Sequence, residues 1–309
     1  MPVTSSIRLG TRGSPLARIQ TDMVKAALID AHAELGEPGA LEVVVISTTG
    51  DQVVDRPLAD IGGKGLFCKE IEKALFDGRI DLGVHSMKDM PTWLPDGLVI
   101  GAMLARADPR DVLITDKADS LRELPAGAVV GTASLRRQAQ ILAKRPDLKV
   151  INFRGSVGTR LKKLEAGDVD ATLLARAGLD RLGLENVPQT VLEPEDMLPA
   201  VGQGVIGVEC RGDDQALRAM LAAVDHAPTR CCVEAERAML DVLDGSCHTP
   251  IGGFATLDRD TLHLRGLVAR ADGSECYRTE RYGPMAEADR LGRDAGRELR
   301  ARGGVDLFA

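Results

Sequence analysis

Short β-branched and apolar runs alternate with stretches of helical periodicity through the first two thirds of the chain. Leu41 to Ser47, Ile80 to His85, Leu98 to Met103, Val112 to Thr115, Ala128 to Val130, Val150 to Phe153 and Ala171 to Ala175 predict strands. Between them Leu16, Ile19, Met23 and Ala27 recur at helical spacing, as do Phe67, Ile71, Ala74 and Leu75, with a stop at Gly78. Both stretches predict amphipathic helices that cover a sheet. The alternation predicts α/β domains with mainly parallel sheets. Beyond Cys247 the pattern changes: Gly252 to Leu257, Leu262 to Val268 and Glu275 to Tyr282 predict strands, the last two joined by an Asp272-Gly273 turn. With a helix from about Ala286 to Arg302, they predict a small separate α+β domain with an antiparallel sheet.

Two segments echo one another. Leu9-Gly-Thr-Arg-Gly-Ser-Pro-Leu16 and Val130-Gly-Thr-Ala-Ser-Leu135 both run from a strand through Gly-Thr-x-x-Ser or its near equivalent into a helix. The echo implies two related α/β domains facing one another. Open α/β sheets bind ligands at the carboxyl ends of their strands, so both turns are expected on one cleft.

Composition narrows the partners. A chain of 309 residues with 44% hydrophobic content can bury real cores without disulfide staples. A net charge of −7 and 3% aromatics argue against a nucleic-acid partner. Arg18, Asp22 and Lys25 interrupt the only N-terminal apolar candidate, so no leader is expected, and no run reaches the ~18 apolar residues of a membrane helix. The six cysteines (Cys68, Cys210, Cys231, Cys232, Cys247, Cys276) form no CxxC pair and no zinc spacing with histidine. Cytoplasmic residence with free thiols is the expectation. The ten lysines are far outnumbered by 29 arginines, and what matters is where particular arginines sit.

Four turns share one design, a small flexible residue before a helix start with a cation beside it. They are Thr11-Arg12-Gly13-Ser14-Pro15, Ile61-Gly62-Gly63-Lys64-Gly65, Gly131-Thr132-Ala133-Ser134-Leu135-Arg136-Arg137 and Phe153-Arg154-Gly155-Ser156-Val157-Gly158-Thr159-Arg160. Ser14 suits an N-cap with Pro15 at the first helical position. Helix N-termini attract anions, and an arginine fork adds charge-assisted bonds of roughly 1.5 to 3 kcal/mol each. Any one such turn is as readily an ordinary cap with a solvated arginine; four together argue for an anionic ligand. Lys64 makes no Walker loop, because GxxxxGK followed by Ser or Thr is absent.

Val84-His85-Ser86-Met87-Lys88-Asp89-Met90-Pro91 puts a carboxylate, a cation and a hydroxyl at one strand end. Lys88 should keep Asp89 ionised at neutral pH, and a persistent carboxylate can stabilise a cation or exchange a proton with an amine. A turn-capping Asp89 beside a buried His85 is the plainer alternative. Cys68, Cys210 and Cys276 are expected to be inert and buried, and Cys231 and Cys232 to pack on a helix. Cys247 lies in the loop Gly245-Ser246-Cys247-His248-Thr249-Pro250-Ile251-Gly252-Gly253, where a thiol is accessible for covalent attachment.

Taken in order, GTRGSPLA, IGGKGLF, VHSMKD, GTASLRR, RGSVGTRLKKL, AGLDRLGL, LPAVGQGVIGVEC and GSCHTPIGG resemble the porphobilinogen deaminase (hydroxymethylbilane synthase) family, from about Ile7 to about Gly283. The resemblance implies a monomeric transferase of tetrapyrrole and haem biosynthesis. It would condense four porphobilinogen molecules head to tail, releasing ammonia and finally hydroxymethylbilane. It implies two domains like periplasmic binding proteins and a third bearing a dipyrromethane cofactor on Cys247 through a thioether. The implied limits are 1–104 with 200–222, then 105–199, then 223–309. It also implies Asp89 as the catalytic carboxylate. Cofactor contacts fall to Lys64, Lys88, Thr132, Ser134, Arg136, Arg137, Arg154 and Gln203, and substrate contacts to Arg12, Ser14, Arg154, Arg160 and Arg181. Asp60 stands where the family commonly has a base, and Arg18, Ala133 and Ser156 also depart from its pattern; Arg176 has no assigned counterpart and is expected to be solvated. The rival expectation is a soluble small-anion binding protein of the periplasmic receptor class, which would need neither Cys247 nor a third domain.

Overall fold

The structure, a computed structural model, describes residues 6–52, 65–243 and 249–304. The chain divides into two compact units: Met1–Val53, Gly63–Ala107 and Val205–Arg230 form one, and Val54–Gly62, Asp108–Gly204 and Cys231–Ala309 the other.

In the first unit β1 (Ile7–Arg12), β2 (Leu41–Ile46), β3 (Leu82–Ser86), β4 (Leu98–Met103) and β10 (Ile206–Arg211) form a sheet of order β2-β1-β3-β10-β4. β1 runs parallel to β2 and β3, whereas β10 is antiparallel to both β3 and β4. In the second unit β5 (Asp111–Ile114), β6 (Val129–Gly131), β7 (Lys149–Ile151), β8 (Ala171–Ala175) and β9 (Thr190–Leu192) repeat the plan, in the order β7-β6-β8-β5-β9. Here β5 is the reversed strand, antiparallel to β8 and β9. Each sheet is therefore mixed and mainly parallel, with one strand reversed at the same place. The echo between Leu9-Gly-Thr and Val130-Gly-Thr marks equivalent strands, β1 and β6.

Helices α1 (Pro15–Ala31), α2 (Thr49–Gln52), α3 (Lys69–Phe76) and α7 (Gln215–Ala222) belong to the first unit. Helix α1 forms as expected but turns a different face inward: Gln20, Thr21, Val24 and Leu28 are buried, while Met23 is 40% exposed. The reason is polar satisfaction. The Thr21 hydroxyl donates to the Ala17 carbonyl at 2.9 Å and the Gln20 amide reaches Ser86, so the helix can bury hydroxyl and amide and leave methionine outside. On α3 the predicted face holds, with Ile71, Ala74 and Leu75 fully buried.

Helices α4 (Leu135–Lys144), α5 (Val157–Glu165) and α6 (Arg176–Arg181) follow β6, β7 and β8. The run predicted from Val150 to Phe153 ends at Ile151, because Phe153 turns in to fill the space left beside Gly131, where a Cβ would come within 2.6 Å of its ring. The antiparallel sheet β11 (Ile251–Asp258), β12 (Thr261–Ala269) and β13 (Cys276–Pro284) packs on α8 (Ala227–Val242) and α9 (Ala288–Gly303) through Met239, Leu262, Leu264, Leu291 and Leu299. The β12–β13 hairpin seats on α4: a Cβ at Gly273, whose φ is +74°, would lie 2.3 Å from the Ala143 nitrogen. Cys68, Cys210, Cys231 and Cys232 are buried, but Cys276 is exposed, since it opens β13 on the solvent side. Among the described residues no helix is long and apolar enough to cross a membrane.

Candidate active site

The carboxyl edge of the first sheet brings together the ends of β1 and β3. Ser14 caps α1, its hydroxyl accepting from the Ala17 amide at 3.3 Å. Arg12, the last residue of β1, forks onto Asp51 with Nε–Oδ1 and Nε–Oδ2 distances of 3.1 and 3.2 Å, and its guanidinium stands 4.0 Å from the Phe67 ring centre. Burial pushes the Asp51 carboxyl up, but the Arg12 fork and the Thr48 donors outweigh it and hold the group below its usual range.

After β3 the chain makes one tight turn, Met87–Asp89, whose neighbours are all tied down. The Gln20 amide donates to the Ser86 hydroxyl at 2.8 Å, and the Met87 amide donates to the Val205 carbonyl at 3.0 Å. Met87 and Met90 are buried, Met90 with its sulfur 3.2 Å from the Cys68 thiol. Lys88 is exposed and Asp89 half-buried. The Asp89 carboxylate itself accepts no hydrogen bond and joins no ion pair among the described residues. It lines a small pocket with Arg12, Gln20, Phe67, His85 and Ser86. Burial, reinforced by the nearby carboxylates of Asp89, Glu72 and Glu209, pushes the Cys68 thiol well up, so this sulfur is inert, as expected.

The equivalent edge of the second sheet is cationic. Thr132 Oγ1 accepts from the Ser134 amide at 3.1 Å, and Ser134 caps α4 by accepting from the Arg137 amide at 3.4 Å. Ser156 caps α5 in the same way, accepting from the Thr159 amide at 3.2 Å. Arg136 and Arg137 turn inward onto Asp111, which is fully buried at the start of β5, at 2.7 and 2.8 Å. One further donor of each meets the carbonyl of Leu198 or Leu173, and buried Gln203 donates to Asp111 and to the Pro109 carbonyl. Burial alone would raise the Asp111 carboxyl; the two guanidiniums overcome it and hold it far below its usual range.

Arg160 donates from Nε to the Gly155 carbonyl at 3.0 Å and has no carboxylate partner among the described residues. Burial, with Arg137 and Arg154 nearby, lowers its pKa to about 10. Arg181 donates to the Gly204 carbonyl at 2.7 Å, and burial lowers its pKa as well. The Nε atoms of Arg137 and Arg181 are buried without an acceptor. Arg176, expected to be solvated, is only 26% exposed and pairs with Asp180 one turn along α6 at 2.6 Å. Arg18 is exposed, so its charge is accommodated outside the core. Asp60, Lys64 and Cys247 lie outside the described residues.

Two family models match the chain: the porphobilinogen deaminase dipyromethane cofactor binding domain over residues 7–219, and the porphobilinogen deaminase C-terminal domain over residues 230–301. The chain belongs to the porphobilinogen deaminase family. It is 54% identical to the chloroplastic porphobilinogen deaminase of Oryza sativa subsp. japonica over 98% of this chain and 86% of that protein. It is 53% identical to the porphobilinogen deaminase of Paracoccus denitrificans over 98% of this chain and 96% of that one. Among solved structures it is similar to the periplasmic aliphatic sulphonate binding protein of Escherichia coli, with a TM-score of 0.43 and 17% identity over 77% of this chain and 70% of that one. A reversible binding protein is not favoured, because the family match continues through the C-terminal domain.

Membership makes the chain a hydroxymethylbilane synthase, a transferase of tetrapyrrole biosynthesis with a dipyrromethane cofactor domain. The second-unit edge fits that cofactor. A dipyrromethane carries four carboxylates, and this edge offers a crowded Arg160 with no counter-ion, and two buried guanidinium N–H groups with no acceptor, among the described residues. Sequence reasoning missed Asp51, Asp111, Gln20 and Glu209, the partners that orient the named side chains. Each lies 25 or more residues from the group it holds, where periodicity carries no signal.

Proposed function

We propose that Asp89 is the carboxylate on which this family chemistry turns in this chain. The observation that carries the proposal is its isolation: it is the half-buried carboxylate at the end of β3 that no described donor satisfies, on a turn otherwise pinned. When porphobilinogen loses ammonia its ring becomes a cation, and an unpaired carboxylate in a partly dry pocket stabilises that charge. The same oxygen can hold the proton released when the new carbon–carbon bond forms. Lys88 is its neighbour in sequence, Arg12 lines the same pocket, and Arg12 and Ser14 are assigned to the substrate. The dipyrromethane, linked as a thioether to Cys247, supplies the nucleophilic pyrrole carbon to which substrate is added.

In the second unit we assign Thr132, Ser134, Arg136, Arg137, Arg154 and Gln203 to the cofactor and Arg154, Arg160 and Arg181 to the growing chain; Lys64, outside the described residues, is assigned to the cofactor on its motif alone. Arg136 and Arg137 already share Asp111, so their spare donors and their net positive charge do the binding; Arg160 is the cation with most to gain. Domain limits of 1–104 with 200–222, 105–199 and 223–309 accord with the strand membership of the three sheets. We further propose a cytoplasmic monomer feeding haem synthesis, acting on porphobilinogen without nucleic acid or membrane. The net charge of −7 supports the exclusion of polyanions.

Intact mass of the denatured protein beside a Cys247→Ser variant tests the reading. An adduct of two linked pyrroles on the first and none on the second is expected. If no adduct forms even after incubation with porphobilinogen, the covalent mechanism is wrong for this chain.

A further inference from the structure

Behind the turn that bears Asp89 lies a hydrogen-bonded pair buried deeper than Asp89 itself. His85 on β3 is 5% exposed and Glu209 on β10 is 0% exposed, with Nε2 and Oε2 3.0 Å apart. His85 forms part of the wall of the Asp89 pocket. The second oxygen of Glu209 is buried with no partner. β10 is an inner strand, hydrogen-bonded on both sides, where an apolar residue would pack without desolvating a charge. A buried polar pair with one oxygen left unsatisfied is weak evidence for stability, so its presence at this spot needs another reason.

The neighbourhood is shaped to admit it. Gly83 faces Glu209 across the ladder, and a Cβ on Gly83 would stand 2.9 Å from His85 Nε2 and 2.8 Å from Ile71. Gly207 faces His85, and a Cβ there would stand 2.2 Å from the Met87 sulfur. The two glycines thus open room for the pair and for the first side chain of the catalytic turn. The second sheet offers a parallel: its reversed strand also carries a fully buried carboxylate, Asp111, which holds Arg136 and Arg137.

We propose that Glu209 and His85 are positioning residues for Asp89, fixing the end of β3 and the wall behind the reacting pocket. The proposal rests on Asp89 being the reacting carboxylate, so Asp89→Asn is measured alongside. Glu209→Leu and Glu209→Gln are compared with the parent protein, cofactor loaded, for melting temperature, KM and kcat of ammonia release. Leucine removes the carboxyl group and its hydrogen bond to His85 and keeps bulk; glutamine keeps the shape and a hydrogen bond. Glu209→Leu, or Glu209→Gln should the leucine variant fail to fold, is expected to melt no lower than a few degrees below the parent, with KM within about twofold and kcat lowered tenfold or more.

A folded Glu209→Leu with kcat within twofold of the parent would overturn the positioning role. Collapse of both variants would mark the pair as purely structural and overturn it too. Full activity of Asp89→Asn would instead remove the reading beneath, whatever the Glu209 variants did.

Discussion

At the carboxyl edge of the first sheet the cation is matched and the anion is left alone: Arg12 is spent on Asp51 while the Asp89 carboxylate has no described partner. At the equivalent edge of the second sheet the assignment is reversed. There the carboxylate, Asp111, is paired with two guanidiniums and an amide, and Arg160 is left among cations. One strand plan, with the same reversed strand, supports both edges. The lesson is that the backbone sets where groups stand, and the pairing of a few long-range partners sets which charge remains available. An available anion suits a cationic reaction centre, and available cations suit a ligand rich in carboxylates.

The contrast can be broken most sharply at Asp89. Asp89→Asn should cut ammonia release by about a thousandfold, in the range of a lost acid–base or charge-stabilising group, while the melting temperature stays within a few degrees. The carboxylate holds nothing together, so a large loss of stability would contradict its description as unpartnered. Asp111→Ala should do the opposite. Two buried guanidiniums would lose their counter-charge, costing about 3 to 5 kcal/mol in urea denaturation. A cost below about 1 kcal/mol would mean that the pairing is incidental.

Arg160→Met sharpens the cationic side. Loss of charged hydrogen bonds worth roughly 1.5 to 3 kcal/mol should raise KM for porphobilinogen about 10- to 150-fold, whereas the cofactor-free protein should be no less stable. A fall in stability without a change in KM would place Arg160 in the scaffold.

The smallest expected effect is in acid. Asp51 and Asp111 both have folded pKa values depressed below the unfolded 3.8, so the stability that each contributes is fully present above that value. It is lost as pH falls through about 4 toward the folded values. Denaturant midpoints measured from pH 6 down to pH 3 should therefore fall, and Arg12→Met should flatten part of that slope by releasing Asp51. An unchanged slope would show that the Arg12–Asp51 fork does not persist in solution.

Much of this plan was legible in the chain. The Gly-Thr-x-x-Ser echo marked β1 and β6, and Ser14, Ser134 and Ser156 became the N-caps that their positions implied, because capping depends on residues three apart. The hairpin at Asp272-Gly273 followed from local turn chemistry. Strand β10 was harder to see, since Gly207 and Glu209 interrupt its apolar pattern, and both are there for the neighbouring β3 rather than for β10 itself. The inner face of α1 was misplaced by Gln20 and Thr21, which are buried for the hydrogen bonds they make. The partner of each charged side chain was hidden for the same reason: pairing across a fold leaves no local trace.

Strand β10 also governs when the first sheet can exist during synthesis. β4 touches that sheet through β10, and the amide of Met87 waits for the carbonyl of Val205. A ribosome delivers β1 to β4 early, yet the strand that joins β4 to β3 arrives only after every strand of the second sheet has been made. The second α/β sheet can therefore close while the first is still missing its middle, and the turn that presents Asp89 is locked late. A nascent chain stalled before residue 206 would hold the cation-lined edge without the finished site for the reacting carboxylate.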